Sequence, residues 1–268
     1  MSTTEHAVVA CLKWVTHPGE PHDQRFAGIS PADQSALEFA LVQAAALGTG
    51  VTVITAGPAA AASVLRDALA CGARHAIHVL TENPLRSEEV ADAIVLAVPT
   101  AQWLWCGDYS LDRGTGSVPA FLAAGFGAQQ ALGIIAVQWN TDGVTATRRL
   151  DGGRRELLAV TAPAVVSVEG ATAHLRRAGL AALRIAANAA IDVVRPLAPA
   201  HGTEAVVQQY RPRARALAAP AGDSPLARLR TLTDAGAAVA ARGETVVLEP
   251  AAAAERIAQA LREWGYLD

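Results

Sequence analysis

Lysine is almost missing from this chain: Lys13 is the only one, and the remaining basic charge is arginine. The 25 acidic residues outnumber the 22 basic ones, leaving a formal net charge of −3 without the positive field that nucleic-acid binding normally requires. Nucleic acid is therefore not an expected partner. The three cysteines, Cys11, Cys71 and Cys106, are far apart and fit no Cys-x-x-Cys spacing, so they read as reduced core or loop thiols rather than metal or redox motifs. Apolar runs are broken by Pro99, Gln102, Gly125 and Gln129, and the first residues carry neither a basic n-region nor an apolar h-region. A cytoplasmic chain without direct membrane insertion is expected. There is no Gly-x-Ser-x-Gly elbow, no P-loop and no Gly-x-Gly-x-x-Gly after the first strand, which disfavours an ordinary hydrolase, NTPase or dehydrogenase.

What is present is apolar material, 51% of 268 residues, enough for one large domain or a domain with an appendage. Residues 7–12 form a short apolar run of the buried-strand kind. Ser30-Pro31-Ala32-Asp33 reads as a helix start, with Ser30 as N-cap, Pro31 at the first helical position and Asp33 in the positive first turn. Ala36, Leu37, Ala40, Leu41 and Ala44 continue that helix and Gly48 ends it. Strands over 51–56, 75–80 and 102–107 alternate with helices around 64–69 and 87–98, implying right-handed βαβ units on a mostly parallel sheet. His75 and His78, three apart in a strand, point to opposite faces and cannot jointly grip a metal.

After a helix near Ser117 the pattern changes. Residues 134–139 and 144–150 flank the turn Asn140-Thr141-Asp142-Gly143, Asp151-Gly152-Gly153 makes another turn, and 155–160 and 164–168 follow, so antiparallel strands are expected near the sheet edge. Residues 1–194 are expected to form an α/β core domain. Residues 195–268, rich in Pro, Ala and Arg, are expected to be an arm rather than a domain, ending in a helix from Pro250 that carries Ile257, Leu261 and Trp264 on one face.

The chemistry concentrates between the apolar run 103–107 and the helix near Ser117, in Asp112-Arg113-Gly114-Thr115 followed by Gly116. A strand that enters a Gly-containing loop and then a helix aims backbone N–H groups and a positive dipole end at one spot, which suits a phosphate. Asp112 is placed for a ribose hydroxyl, Arg113 for a phosphate, and Gly114 for close backbone approach; an ordinary solvated turn is the competing interpretation. In a doubly wound sheet this loop meets Cys11-Leu12-Lys13-Trp14 and the Ser30 helix start at the carboxyl ends of adjacent strands.

The ordered set Ala10-Cys11-Leu12-Lys13-Trp14-Val15, Ser30-Pro31-Ala32-Asp33-Gln34-Ser35-Ala36-Leu37-Glu38, Val51-Thr52-Val53-Ile54-Thr55-Ala56-Gly57-Pro58, Leu65-Arg66-Asp67-Ala68-Leu69-Ala70-Cys71-Gly72-Ala73, Asp151-Gly152-Gly153 and Pro163-Ala164-Val165-Val166 resembles the β subunit of electron transfer flavoproteins. The similarity runs over residues 7–194, and Trp264-Gly265-Tyr266-Leu267 also resembles the family. The resemblance implies an adenine-nucleotide α-hydrolase-like, Rossmann-like α/β fold, and an electron carrier subunit rather than an enzyme. It implies a heterodimer with an α subunit that holds most of the FAD, AMP in this chain, and a dehydrogenase as electron donor. By position, the AMP contacts would be Cys11, Ser30, Pro31, Ala32, Asp33, Ala56, Gly107, Asp108, Tyr109, Ser110, Leu111, Asp112, Arg113, Gly114 and Thr115. The partner-recognition segment would span 173–190, with Leu180 as its apolar anchor; a core position on a helix face is the alternative for Leu180.

Three departures from the family pattern are visible. Ala32 stands where an aromatic residue is usual, the acidic run before Thr115-Gly116 is shortened to Asp112-Arg113-Gly114, and Arg184-Ile185-Ala186-Ala187-Asn188-Ala189-Ala190 replaces a lysine-rich segment. The last implies a dehydrogenase outside the acyl-CoA type, and the arm and chain end resemble the β-like subunits of the actinobacterial mycofactocin system. Two other classes compete. A stand-alone adenine-nucleotide module of universal-stress type would end soon after the fifth strand, and an adenylating enzyme on the same fold would need a Ser-Gly-Gly-x-Asp-Ser loop, which does not follow the first strand.

Overall fold

All four residues of β1 (Val8–Cys11) are buried, as expected of a central strand covered on both faces. In the computed structural model, which describes residues 6–16, 23–140, 143–196, 220, 222–233 and 246–267, this strand sits inside a nine-stranded sheet. Thr141, Asp142 and half of the expected arm lie outside the described residues. β2 (Val51–Gly57) and β3 (His75–Leu80) extend the sheet on one side of β1, and β4 (Trp103–Gly107) pairs on the other. Beyond β4 come β8 (Ala164–Val168), β5 (Gln129–Asn140), β6 (Gly143–Arg149) and β7 (Arg155–Val160), and β9 (Asp192–Val194) closes the opposite edge beside β3. The order is β7-β6-β5-β8-β4-β1-β2-β3-β9. Among the sheet's described strands, the β5–β6 and β6–β7 pairings are antiparallel and the rest are parallel.

Strand alternation sorts the core into two layers. Val8 and Ala10 face α1 (Pro31–Ala46) and α2 (Ala62–Ala70), through Leu37, Leu41, Val64 and Leu65. Val9 and Cys11 face α3 (Ser87–Ala97) and α4 (Val118–Phe126), through Ala91, Ile94 and Leu122. On the α1 side, the fully buried Trp105 indole donates to Gln43 Oε1 at 2.7 Å and stacks on Phe39 at 5.4 Å between ring centres, with Trp139 at 5.9 Å.

Most local expectations survive within a residue or two, including the Ser30 cap, whose hydroxyl accepts from the Asp33 N–H at 3.0 Å. The fifth strand begins earlier than its apolar pattern implies, at Gln129 rather than residue 134. Gln129 is held there by Thr161, and Gly133, at φ 68°, sits where the β5–β8 register shifts. That break hides the strand's first half from a search for continuous alternation. His75 and His78 do face opposite ways: His75 meets the His6 ring, while His78 Nε2 lies 3.0 Å from the Gly57 carbonyl.

The chain divides into two compact units, Met1–Thr203 and Glu204–Asp268. In the first, α5 (Leu180–Ala186) follows β8 and precedes β9. In the second, α6 (Pro225–Leu232) lies within the stretch rich in Pro, Ala and Arg; Ser224 caps it and Pro225 opens it. The terminal helix α7 (Pro250–Glu263) starts at the expected proline. No helix among the described residues is long and apolar enough to cross a membrane.

The Trp105–Gln43 bond is buried at both ends, so Gln43→Leu leaves the indole N–H without an acceptor. It is expected to destabilise the chain by about 1–3 kcal/mol, read as a lowered urea midpoint. An unchanged midpoint would mean the indole finds another acceptor.

Candidate functional site

β1 and β4 are neighbours, yet the chain leaves β1 toward β2 and returns past β1 to build β4. This is the topological switch point of a doubly wound sheet, where diverging loops leave a crevice at the carboxyl ends of the strands. A cavity of about 390 Å³ opens there. Its floor includes Cys11, Ile54, Ala56, Cys106 and Gly107, and its rim carries Lys13, Trp14, Tyr109, Asp112 and Arg113.

One carboxylate joins the three segments around it. Asp33 lies in the first turn of α1 and is only 6% exposed; its Oδ2 accepts the Lys13 N–H at 3.1 Å, and the Ser30 and Gly107 backbones lie beside the carboxylate. A Cβ at Gly107 would stand 2.6 Å from Asp33 Oδ1, so glycine lets β4 approach the carboxylate. Burial pushes the Asp33 pKa up to about 6, against the opposing pull of the Lys13 N–H and of the polar groups of Ser30 and Gly107 beside it.

Residues 108–116 form a self-bonded loop over one side of the cavity. Asp108 donates its N–H to Val168 O, Ser110 to Thr115 O at 3.0 Å and Gly114, at φ 64°, to Ser110 O at 2.8 Å. Gly116 admits no side chain, since a Cβ there would lie 1.9 Å from Asp108 O. Lys13 Nζ donates to Asp112 Oδ1 at 2.6 Å and Ser110 Oγ at 2.8 Å, and the Ser110 hydroxyl donates to the same Asp112 oxygen. Partial burial would raise the Asp112 carboxyl, but Lys13 and Ser110 outweigh it and hold the group below its ordinary value. Arg113 reaches across to donate to Leu85 O at 3.1 Å.

Of the residues singled out in sequence, Cys11, Asp33, Ala56, Gly107, Tyr109, Ser110, Asp112, Arg113 and Thr115 line this cavity. Ser30 instead caps α1, Pro31 packs beside Gly170, Ala32 packs beside Gly107, Asp108 turns toward Val168, Leu111 is exposed, and Gly114 supplies the left-handed turn. Sequence motifs did not reveal the wall formed by Thr81, Glu82, Asn83, Pro84 and Leu85. Only their place after β3, which β2 separates from β1, marks them.

Away from the cavity, Leu180 is 75% exposed on α5, with Leu183 and Ile185 also exposed, so the core alternative for Leu180 does not hold. The segment carrying α5 is pinned at both ends. Arg176 pairs with Glu38 at 2.7 Å, and Arg66 Nη1 donates to the carbonyls of Ala186, Ala187 and Ala189 at 3.1, 2.7 and 3.3 Å.

These features define a doubly wound α/β protein with a cavity at its switch point. The family model described as the electron transfer flavoprotein domain matches residues 22–210, and the chain belongs to that family. It is 33% identical over 123 residues to the electron transfer flavoprotein subunit beta of Mycobacterium tuberculosis, covering 44% of this chain and 46% of that protein. Identity is 31% over 144 residues with the subunit beta of Thermoanaerobacterium thermosaccharolyticum, covering 52% and 55%. With Protein FixA of Rhizobium meliloti it is 29% over 164 residues, covering 57% and 56%. The chain thus spans about half the length of the curated relatives it matches.

Because the folded-state pKa of Asp33 lies above its ordinary value of 3.8, the native chain binds more protons than the unfolded one between about pH 4 and 6. Stability contributed through this group therefore falls as pH rises across that window and is flat above it. The unfolding free-energy difference between wild type and Asp33→Asn should change by up to about 3 kcal/mol over the window, in favour of the variant at higher pH. A pH-independent difference would show that Asp33 titrates normally.

Proposed function

We propose that this chain is the β-type subunit of a heterodimeric electron transfer flavoprotein, passing electrons from a dehydrogenase to an acceptor. FAD would lie mostly in an α subunit, with AMP in the switch-point cavity of this chain. Family membership over residues 22–210, together with relatives described as subunit beta, carries the proposal. The flavin would supply the redox chemistry; this chain would hold its mononucleotide and present a docking surface.

The cavity's chemistry fits a nucleoside monophosphate. Its volume of about 390 Å³ is at the small end of the ~300–1,000 Å³ usual for ligand sites. Lys13 and Arg113 offer countercharge, and α4 enters the cavity wall at Val118 and Pro119 with no capping side chain and no carboxylate in its first turn. An anion there would meet the positive end of the helix without competition from a cap. By contrast, α3 already carries Glu88 and Glu89 at its start. Gly107 and Gly116 keep the backbone close where side chains would not fit.

Exposure of Leu180, Leu183 and Ile185 on a pinned helix supports a role for α5 in meeting the dehydrogenase. The Arg184–Ala190 substitution of a lysine-rich segment favours a donor outside the acyl-CoA class, such as one of the mycofactocin system. The arm would dock on the α subunit through apolar residues such as Leu226 and Leu229, which are exposed on α6.

Co-expression with the α-type partner, followed by an absorption spectrum and chromatography of nucleotides released on denaturation, tests the assignment. The expected complex is yellow and releases FAD and AMP in equal amounts, while the lone chain carries no flavin. A stoichiometrically flavinylated lone chain would overturn the division of cofactors, and a complex without AMP would overturn the cavity assignment. An apolar anchor contributes about 2 kcal/mol or more at an interface, so Leu180→Ala should slow reduction by the dehydrogenase roughly 30-fold at sub-saturating partner with flavin content unchanged. An unchanged rate would remove Leu180 from the docking surface.

A further inference from the structure

Two of the three cysteines, separated by 95 positions in sequence, become direct neighbours in the fold. Cys11 ends β1 and Cys106 stands opposite it on β4 in the parallel register. They belong to the same apolar layer, on the α3 and α4 side of the sheet, and both line the floor of the switch-point cavity. Both are free, at 9% and 4% exposure. Neighbouring strands lie about 4.8 Å apart, inside the ~4.4–6.8 Å between Cα atoms that a disulfide spans. The apolar layer shuts off the other approaches, so a reagent reaches these thiols through the cavity.

We infer that Cys11 and Cys106 form a reversible dithiol–disulfide site at the cavity floor, oxidised by small hydroperoxides and shielded when a nucleotide fills the cavity above it. The shielding clause rests on the nucleotide assignment; the thiol pairing does not. Cys11, the more exposed of the two, attacks the hydroperoxide as its thiolate. The O–O bond breaks, an S–O bond forms, and the departing oxygen takes up the thiol proton and leaves as an alcohol, or as water when the oxidant is hydrogen peroxide. The Cys106 sulfur then attacks the sulfenic sulfur; the S–S bond forms and a second molecule leaves as water, carrying the remaining thiol proton. Two thiols lose two electrons to one hydroperoxide, and a dithiol reductant reverses the step. Cys106 suits the resolving position, because its interaction with the Cys11 thiol, followed by burial, pushes its pKa upward and keeps it a thiol until a sulfenic partner is beside it. Cys71 is a built-in control: it lies on the other side of the sheet, beside α2 and the Arg176 carbonyl.

The test is hydrogen peroxide treatment of the full chain, with and without AMP, followed by denaturation, alkylation and intact mass measurement. The expected product carries one alkyl group in place of three and has lost two hydrogens, and peptide mapping joins Cys11 to Cys106. In Cys71→Ser the oxidised chain should carry no alkyl group, and dithiothreitol should restore two. Three alkylated thiols after peroxide, stable over-oxidation of either residue, or a link through Cys71 would overturn the pairing. AMP at a concentration that occupies most sites, as measured by equilibrium dialysis, should slow disulfide formation in proportion to occupancy. If AMP binds and the rate does not change, access through the cavity is wrong. If AMP does not bind, the nucleotide assignment falls and the peroxide arm alone decides the thiol pairing.

Discussion

A buried carboxylate at the start of one helix governs how the rest of the site is arranged. Asp33 accepts from the backbone after β1, bonds to the cap of its own helix through its N–H and packs against the end of β4, so the three segments around the cavity meet at one residue. Burying a carboxyl group is unfavourable, and its raised pKa expresses that penalty. The alternative would leave the Lys13 N–H without this partner. The absence of a Cβ at Gly107 completes the arrangement, because any side chain there would push the strand away from the acceptor.

The switch point and the two-layer core determine what surrounds this knot. The loops that leave β1 and β4 diverge because the helices they lead to pack on opposite faces of the sheet, α1 and α2 on one and α3 and α4 on the other. The same division places Trp105 and Cys106, adjacent in sequence, in different environments. Trp105 enters an aromatic cluster with a satisfied indole, whereas Cys106 reaches the cavity floor. The antiparallel strands β5, β6 and β7 extend the sheet on the β8 side, where Leu157 and Trp139 are exposed.

Legibility in the sequence followed locality. The start of α1 could be read from four consecutive residues, because a cap, a first-turn proline and a first-turn acid act within one helical turn. The Asp112–Thr115 loop was legible for the same reason, as a strand, a turn and a helix in succession. The first half of β5 was not, since Gln129 and Gln130 are polar and the bulge at Gly133 interrupts alternation; that strand exists through pairing with β8, more than thirty residues later. β9 is three exposed residues whose strand character comes from β3. The wall at residues 81–85 and the meeting of Cys11 with Cys106 depend on strand order, which no short motif encodes.

The two arginine clamps around α5 differ in what they hold. At the front end, Arg176 meets a carboxylate; at the back end, Arg66 meets only neutral carbonyl oxygens. Dissolved ions screen a charge–charge contact far more than a short charge–dipole contact of this kind. Rising ionic strength would therefore loosen the segment from the Arg176 side while its far end stays attached to α2. The helix would fray in one direction, like a flap hinged at Arg66, and its exposed leucines would lose their fixed orientation before the sheet beneath them changed.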